Sequence, residues 1–292
     1  MTLDRLQSRL KAYQQKTHAP WHIIELDYVI FWILLGISKT PTLHKNLTFK
    51  GGTALRKAYF GDYRFSEDLD FTANPLLPKG NPLLLLIKES CKTAQSSMSA
   101  FIEPLRMEVH PFQEGKPHPE GQEAFIIKTQ FPWHREPLTT IIIEITFNEE
   151  VIAPNITRSI FHPYGEPLTC TLSTYCLEEI IAEKLRAILK NTKKLHEKGW
   201  ARSRARDYYD IWYILKHKKN ELNIQQLPSL LQQKCTLKNV HFKSYEQFFD
   251  PAYLEEVEKT WSEWLGLLVS GLPTFQEVIE YLKMELRAIC EL

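Results

Sequence analysis

The sequence predicts an α+β chain: a mixed sheet with helices in the first half, then a C-terminal helical bundle. Three observations predict it. β-Branched or alternating stretches cluster between residues 46 and 147. Pro154, Pro163, Gly165 and Pro167 break up a connector just beyond residue 150. From about residue 174 onward the apolar residues recur at helical spacing. The division drawn is 1–150 for an α/β domain and 151–292 for a mainly helical domain.

In chain order, Leu3, Leu6, Leu10 and Tyr13 share one face of a helix over 3–15, and residues 24–38 read as a buried helix. Pro41 punctuates. Residues 46–50 suit a short strand, Gly51-Gly52 a turn, and 53–60 a short helix. Residues 68–73 form a strand with Leu69 and Phe71 facing away from Asp68 and Asp70. A helix over 82–103 precedes strands at 105–112, 123–131 and 139–147. The last of these, Thr-Thr-Ile-Ile-Ile-Glu-Ile-Thr-Phe, is β-branched almost throughout. Helices are then expected over 174–191, 203–219, 224–234, 251–268 and 274–290.

Composition narrows the class. The chain has 292 residues, 43% of them hydrophobic, enough for a substantial core. Five cysteines, Cys91, Cys170, Cys176, Cys235 and Cys290, form no CxxC pair, so free thiols in a reducing cytoplasm are expected. His18 and His22 have ligand spacing, but Pro20 lies between them and no acidic cluster adjoins, so zinc is not expected. The N-terminus has no signal core, and the apolar run 28–37 is shorter than the ~20 residues a spanning helix needs. A cytoplasmic protein with no membrane partner is the expectation. The net charge of +1 names no partner, but charge is unevenly placed. Lys184 to Lys219 contains twelve Lys/Arg and three Asp/Glu, a local +9 that leaves −8 elsewhere. Trp200, Tyr208, Tyr209 and Trp212 are interleaved with it, a pattern suited to RNA phosphates and equally to a solvated helix pair with a core face.

The chemistry concentrates in Lys50-Gly51-Gly52-Thr53-Ala54-Leu55 and Arg64-Phe65-Ser66-Glu67-Asp68-Leu69-Asp70-Phe71. Carboxylates at i and i+2 of a strand share a face and repel each other, and a hard divalent cation relieves that repulsion. A Gly-Gly turn lets backbone approach a ligand, and Thr53 opens a helix whose first amides suit phosphate. Arg64 and Ser66 lie just ahead of the carboxylates and are phosphate candidates; phosphorylation of Ser66 would place about −2 charge beside them. A phosphate cradle next to a metal-binding carboxylate pair is the apparatus of phosphoryl transfer. Glu144, inside an isoleucine run, is a candidate third carboxylate or base, or else an ion-paired sheet residue.

Together GGTALRKAY, RFSEDLDF, EKLRAIL and ARDYYDIWYIL resemble the AbiEii-type nucleotidyltransferases, toxins of bacterial toxin–antitoxin and phage-defence modules within the DNA polymerase β-like superfamily. The resemblance is close over 47–73 and 177–215. It implies a polymerase β-like mixed sheet whose cleft the helical half completes, and transfer of NMP from an NTP with release of pyrophosphate. It places Gly51, Gly52 and Thr53 in the phosphate loop, although Gly-Gly-Thr stands where the superfamily usually has Gly-Ser. It implies Mg²⁺ or Mn²⁺ on Asp68 and Asp70, Lys184 on the triphosphate, and Asp207, flanked by Arg206 and Asp210, at the nucleotide or as base. It further implies a cognate antitoxin and an RNA acceptor, in several relatives the tRNA 3′ end, whose blocking stops translation. Arg202, Arg204 and Arg206 would then face RNA. The alternatives are transfer to a small molecule or protein, and a non-catalytic NTP-binding regulator.

Overall fold

The computed structural model describes residues 5–112 and 121–291. These fall into two compact units: one spans residues 1–151 and 155–175, the other residues 152–154 and 176–292. Helix is the commoner element, and the strands lie in one mixed sheet.

In the first unit, α1 (Leu6–Thr17) ends at His18, which adopts φ 56°, and Pro20 caps the start of α2 (Trp21–Lys39). His18 and His22 therefore belong to different segments, as Pro20 between them predicts. Helix α2 carries apolar residues on every face, and nearly all of it is buried from Ile23 to Ile37, Glu25 and Asp27 included. At nineteen residues it is longer than the run read from sequence and apolar enough to cross a membrane by length and composition, yet 83% of that stretch is buried inside the protein. That burial accounts for its hydropathy, since each fully buried Leu, Ile or Phe side chain favours folding by ~1.5–3 kcal/mol.

Helix α3 (Pro41–Asn46) leads into β1 (Leu47–Lys50), which runs directly into α4 (Gly51–Ala54) and a π-helical turn, Leu55–Phe60. Strand β2 (Leu69–Ala73) returns antiparallel to β1. Helix α5 (Asn81–Met98) packs on α2, and β3 (Arg106–Pro111), β4 (Gln122–Gln130) and β5 (Thr139–Thr146) come next. Two strands not expected from the sequence, β6 (Ile156–Ser159) and β7 (Thr171–Thr174), pair antiparallel and join the sheet through a parallel contact of β7 with β1. They flank the Pro/Gly connector and carry the first unit on to Tyr175. Their four-residue length and the exposure of β6 leave no alternation to read.

The sheet order is β3-β4-β5-β2-β1-β7-β6, with β2 parallel to β5, while β1 with β2 and β4 with β5 pair antiparallel. Alternation decides its two faces. Phe49, Phe71 and Ile145 align across β1, β2 and β5 and are fully buried, with the Phe49 and Phe71 rings stacked at 5.2 Å. The next register row is Lys50, Asp70 and Glu144, all partly exposed.

The second unit is helical: α6 (Leu177–Lys198), α7 (Ala205–Lys218), α8 (Leu227–Leu237), α9 (Pro251–Lys259), α10 (Trp261–Leu265) and α11 (Phe275–Cys290). Ile180, Ile181, Leu185 and Ile188 form the buried stripe of α6 as their spacing predicts. The helix expected over 251–268 is broken at Thr260. Its hydroxyl takes up the Val257 and Glu256 carbonyls in the last turn of α9 and lies within reach of the Ser203 hydroxyl, side-chain bonding that competes with continuing the helix. The five cysteines are free thiols, four of them buried. Burial pushes the Cys91 thiol up to about 12.

Candidate active site

Three short segments of the first unit converge. Lys50 ends β1, and Gly51 comes next with φ +79°. A β-carbon on Gly51 would lie 2.3 Å from Asp70 Oδ2, so the glycine backbone rests directly on the carboxylate. A β-carbon on Gly52 would lie 2.4 Å from a terminal nitrogen of Arg64 and 3.2 Å from Ser66 Oγ. The glycines, Asp70, Arg64 and Ser66 thus occupy one spot. Gly51 and Gly52 already form the first turn of α4, where the sequence suggests a turn ahead of it. Arg64 and Ser66 are buried, and Arg64 also donates to the Phe65 carbonyl at 3.1 Å. Ser66 is not presented at the surface as a modification site.

Thr53 is buried, and its hydroxyl donates to the Asp68 carbonyl. Its side chain thereby holds the chain at Asp68, one residue before β2 begins. Asp70 lies in β2, flanked in register by Lys50 of β1 and Glu144 of β5. Glu144 is half-exposed, on the opposite face from buried Ile143 and Ile145, which is why a charge is tolerated in an isoleucine run. Lys50 Nζ also lies 5.6 Å from the centre of the Tyr175 ring. Lys50 belongs to the glycine-loop stretch in the sequence but had no role there; its register with Asp70 gives it one.

The donor set fits a divalent ion of the Mg²⁺ class. Among the described residues no three His, Cys, Asp or Glu side chains form a ready-made metal cage. Mg²⁺ does not need one: it is commonly held by one or two carboxylates, with water and substrate phosphates completing the shell. Asp68 and Asp70 are the carboxylates that would hold it.

A buried network stands behind the loop. Asp27, on α2, accepts from Arg56 Nε at 2.7 Å, Lys57 Nζ at 2.8 Å and the Tyr164 hydroxyl at 2.9 Å. Arg56 also donates to the Tyr63 carbonyl and lies 3.7 Å over the Phe65 ring. The π-helical turn after the glycines is thereby tied both to α2 and to the 63–66 segment. Burial pushes the Asp27 carboxyl up, but Arg56 and Lys57 outweigh it and hold it well below the usual carboxylate range. Burial lowers Lys57 to about 8 against the opposing pull of Asp27. Acidic residues, Glu25 and Asp27, inside a largely apolar buried helix were the sequence signal for this network.

In the second unit, Lys184 on α6 meets Asp207 Oδ1 at 2.8 Å and Asp210 Oδ2 at 2.7 Å on α7. Asp210 is fully buried, and Arg204 approaches Asp207 Oδ2 at 3.4 Å. The three-residue spacing of the two aspartates presents both to one lysine. The guanidinium carbons of Arg206 and Arg202 lie 5.1 and 6.0 Å from the Trp264 ring centre. Other members of the basic stretch are paired too: Lys193 with Glu197 and Lys218 with Glu221 locally, and Lys219 with Glu285 of α11. Tyr208, Tyr209 and Trp212 are core residues, whereas Trp200 is 60% exposed.

The family model described as nucleotidyl transferase AbiEii toxin, type IV TA system, matches residues 32–281. No curated protein matches the chain. Among solved structures, MenT4, a nucleotidyltransferase toxin from Mycobacterium tuberculosis H37Rv, is similar with a TM-score of 0.62. The match covers 99% of this chain and 91% of that one at 18% identity, which establishes a shared fold. The family match spans the glycine loop, Asp68, Asp70, Glu144, Lys184 and Asp207, and with it the chain belongs to the AbiEii nucleotidyltransferase toxin family of type IV toxin–antitoxin systems.

Proposed function

We propose that this toxin transfers a nucleoside monophosphate from an NTP to an RNA hydroxyl, with the tRNA 3′ end as acceptor, and so blocks translation in the cytoplasm. The observation that carries the reading is the direct packing of the Gly51–Gly52 loop, which opens α4, onto the Asp70 carboxylate, Arg64 and Ser66. A nucleotidyl transfer needs a loop whose backbone a phosphate can approach and a carboxylate to hold metal in the same place.

Each residue has a part in the transfer. The Gly51–Gly52 backbone and Arg64 receive the phosphates, with Ser66 beside them and Thr53 fixing Asp68. Asp68 and Asp70 would hold Mg²⁺ or Mn²⁺, which when bound neutralises charge on the phosphates and the leaving group. The acceptor oxygen forms a bond to the α-phosphorus as the bridge to the β-phosphate breaks, and pyrophosphate leaves. The hydroxyl proton passes to a carboxylate, with Glu144, register neighbour of Asp70, as acceptor. By the family resemblance Lys184, held by Asp207 and Asp210 within the helical unit, is the lysine expected on the triphosphate, with Asp207 expected at the nucleotide. Catalysis is mainly positioning and electrostatics. The basic 184–219 stretch, with exposed Trp200 and Arg202, favours RNA over a small acceptor. Neutralisation by the antitoxin and a part in phage defence complete the proposal.

The test is incubation of the purified protein with total bacterial tRNA, Mg²⁺ and each α-³²P-labelled NTP separately, beside Asp70→Ala. Label should enter tRNA with one NTP and vanish in the variant. Labelling of a small molecule or protein instead would overturn the RNA acceptor, and NTP binding without turnover would overturn the enzyme reading.

A further inference from the structure

Asp70 does not stand alone on its face of the sheet. Lys50 of β1 is its register partner, and Glu144 of β5 lies on its other side. Paired residues of neighbouring antiparallel strands stand about 4.5–5.5 Å apart at Cα, with their side chains on one face. Lys50 is also the residue that leads into Gly51, whose backbone rests on the Asp70 carboxylate. The stem of Lys50 thus rises where the glycine loop and the carboxylate meet.

That lysine has a built support. Tyr175 follows β7 and donates its amide to the Phe49 carbonyl at 3.0 Å, which fixes its backbone beside β1 on the side away from β2. Its hydroxyl lies 2.6 Å from the Thr72 hydroxyl on β2. Thr72 is two residues from Asp70 and shares its face, so the Tyr175 side chain crosses β1 on the face that bears Lys50. Tyr59, from the π-helical turn after the glycines, donates its hydroxyl to the Tyr175 carbonyl. Tyr175 is fully buried and held at these three points. Lys50 Nζ lies 5.6 Å from the ring centre, within range of the attraction between an ammonium and an aromatic face. Lys50 itself stays half-buried.

Charge balance gives the lysine a task. A divalent ion on Asp68 and Asp70 is neutralised by those two carboxylates, and Glu144 adds another negative charge to the row. The phosphates of an NTP then meet no positive surplus from the metal, and repulsion between phosphates and carboxylates is strong where water is partly excluded. Cations from the protein supply the difference. Arg64, packed on Gly52, is one. Arg56 and Lys57, next along the chain, are committed to the buried Asp27. Lys50, at the head of the loop and on the face of Asp70, is placed to be the other.

We propose that Lys50 is a phosphate-binding residue of the nucleotidyl-transfer site, with Tyr175 as the positioning residue that holds it there. Its ammonium receives the phosphate chain of the NTP at the head of the glycine loop, beside Asp70. The inference deepens the nucleotidyl-transfer reading and rests on it.

Equilibrium binding of ribose-labelled fluorescent NTPs to the full chain in Mg²⁺ tests it without depending on the acceptor. The wild type should bind at least one NTP. Lys50→Met keeps the length of the stem and its packing on the Tyr175 ring but removes the charge. It should weaken binding of that NTP roughly 10- to 100-fold, the worth of a hydrogen bond to a charged group, with the urea midpoint unchanged. Lys50→Gln should repeat the loss with a polar neutral side chain, and Lys50→Arg should keep most of the affinity. Affinity that is unchanged or tighter in Lys50→Met and Lys50→Gln would show that the lysine only offsets the charge of Asp70, and would overturn the assignment while the nucleotidyl-transfer reading stands. A lowered urea midpoint with equal loss of affinity in Lys50→Arg would make the residue structural and overturn the assignment likewise. A wild type that binds no NTP would overturn the nucleotidyl-transfer reading and the assignment with it.

Discussion

Gly51 has no room for a β-carbon. Its φ of +79° is costly for other residues, and the atom an added methyl would meet is the Asp70 carboxylate oxygen at 2.3 Å. That oxygen terminates a side chain that can move, so Gly51→Ala is expected to fold. In moving, however, Asp70 leaves the phosphate loop. Turnover should fall by about 10²-fold, the usual consequence of ångström-scale misplacement of a reacting group. Single-turnover rates with circular dichroism as a fold check would measure it, and near-wild-type turnover would show that the approach of Gly51 to Asp70 is not needed. Thr53 makes a related point: its hydroxyl is engaged by the Asp68 carbonyl, so its side chain acts through the carboxylate segment.

At the scale of elements, the glycine loop is held by the helical turn on its C-terminal side. That π-helical turn, Leu55–Phe60, presents both Arg56 and Lys57 to Asp27 on α2, and Arg56 reaches on to the Tyr63 carbonyl and the Phe65 ring. One buried carboxylate thus links α2, the loop helix and the segment bearing Arg64 and Ser66. Asp27→Asn keeps the shape but leaves two buried cations without a counter-charge. Breaking a buried pair of this kind costs about 3–5 kcal/mol. A lowered urea midpoint with reduced turnover at saturating NTP is expected, and an unchanged midpoint would show that the two cations find other partners.

For the molecule as a whole, two buried carboxylates, Asp27 and Glu166, set its acid tolerance. Burial raises Glu166, but hydrogen bonds from His162, Arg9 and Tyr28 outweigh it and bring it down to about 2; Asp27 is also held low. A carboxyl whose folded value lies below its unfolded value of about 4 adds stability above that value. The contribution is lost as pH falls towards the folded value, because the unfolded chain then binds more protons. From these two groups, stability should be flat between about pH 7 and 5 and should drop between about pH 4 and 2. Urea titrations across that range would measure the slope, and Glu166→Gln should flatten it; an equal slope in the variant would assign the acid sensitivity elsewhere.

Residue order alone was enough for the α+β class, the long buried helix, the strand bearing Asp70, the isoleucine-rich strand bearing Glu144, and the family through its motifs. These are local properties: period, punctuation and residue order. Asp27 was visible only as an anomaly in an apolar helix, and β6 and β7 not at all, because four-residue strands carry too little pattern. Tertiary structure alone decided that Lys50, Asp70 and Glu144 form one row, since register between strands is fixed by pairing across long stretches of chain. It decided likewise that one buried aspartate serves two cations, and that Lys184 meets both Asp207 and Asp210. Each of these joins residues from different elements, and their partnership is set by packing, which no local stretch of sequence records.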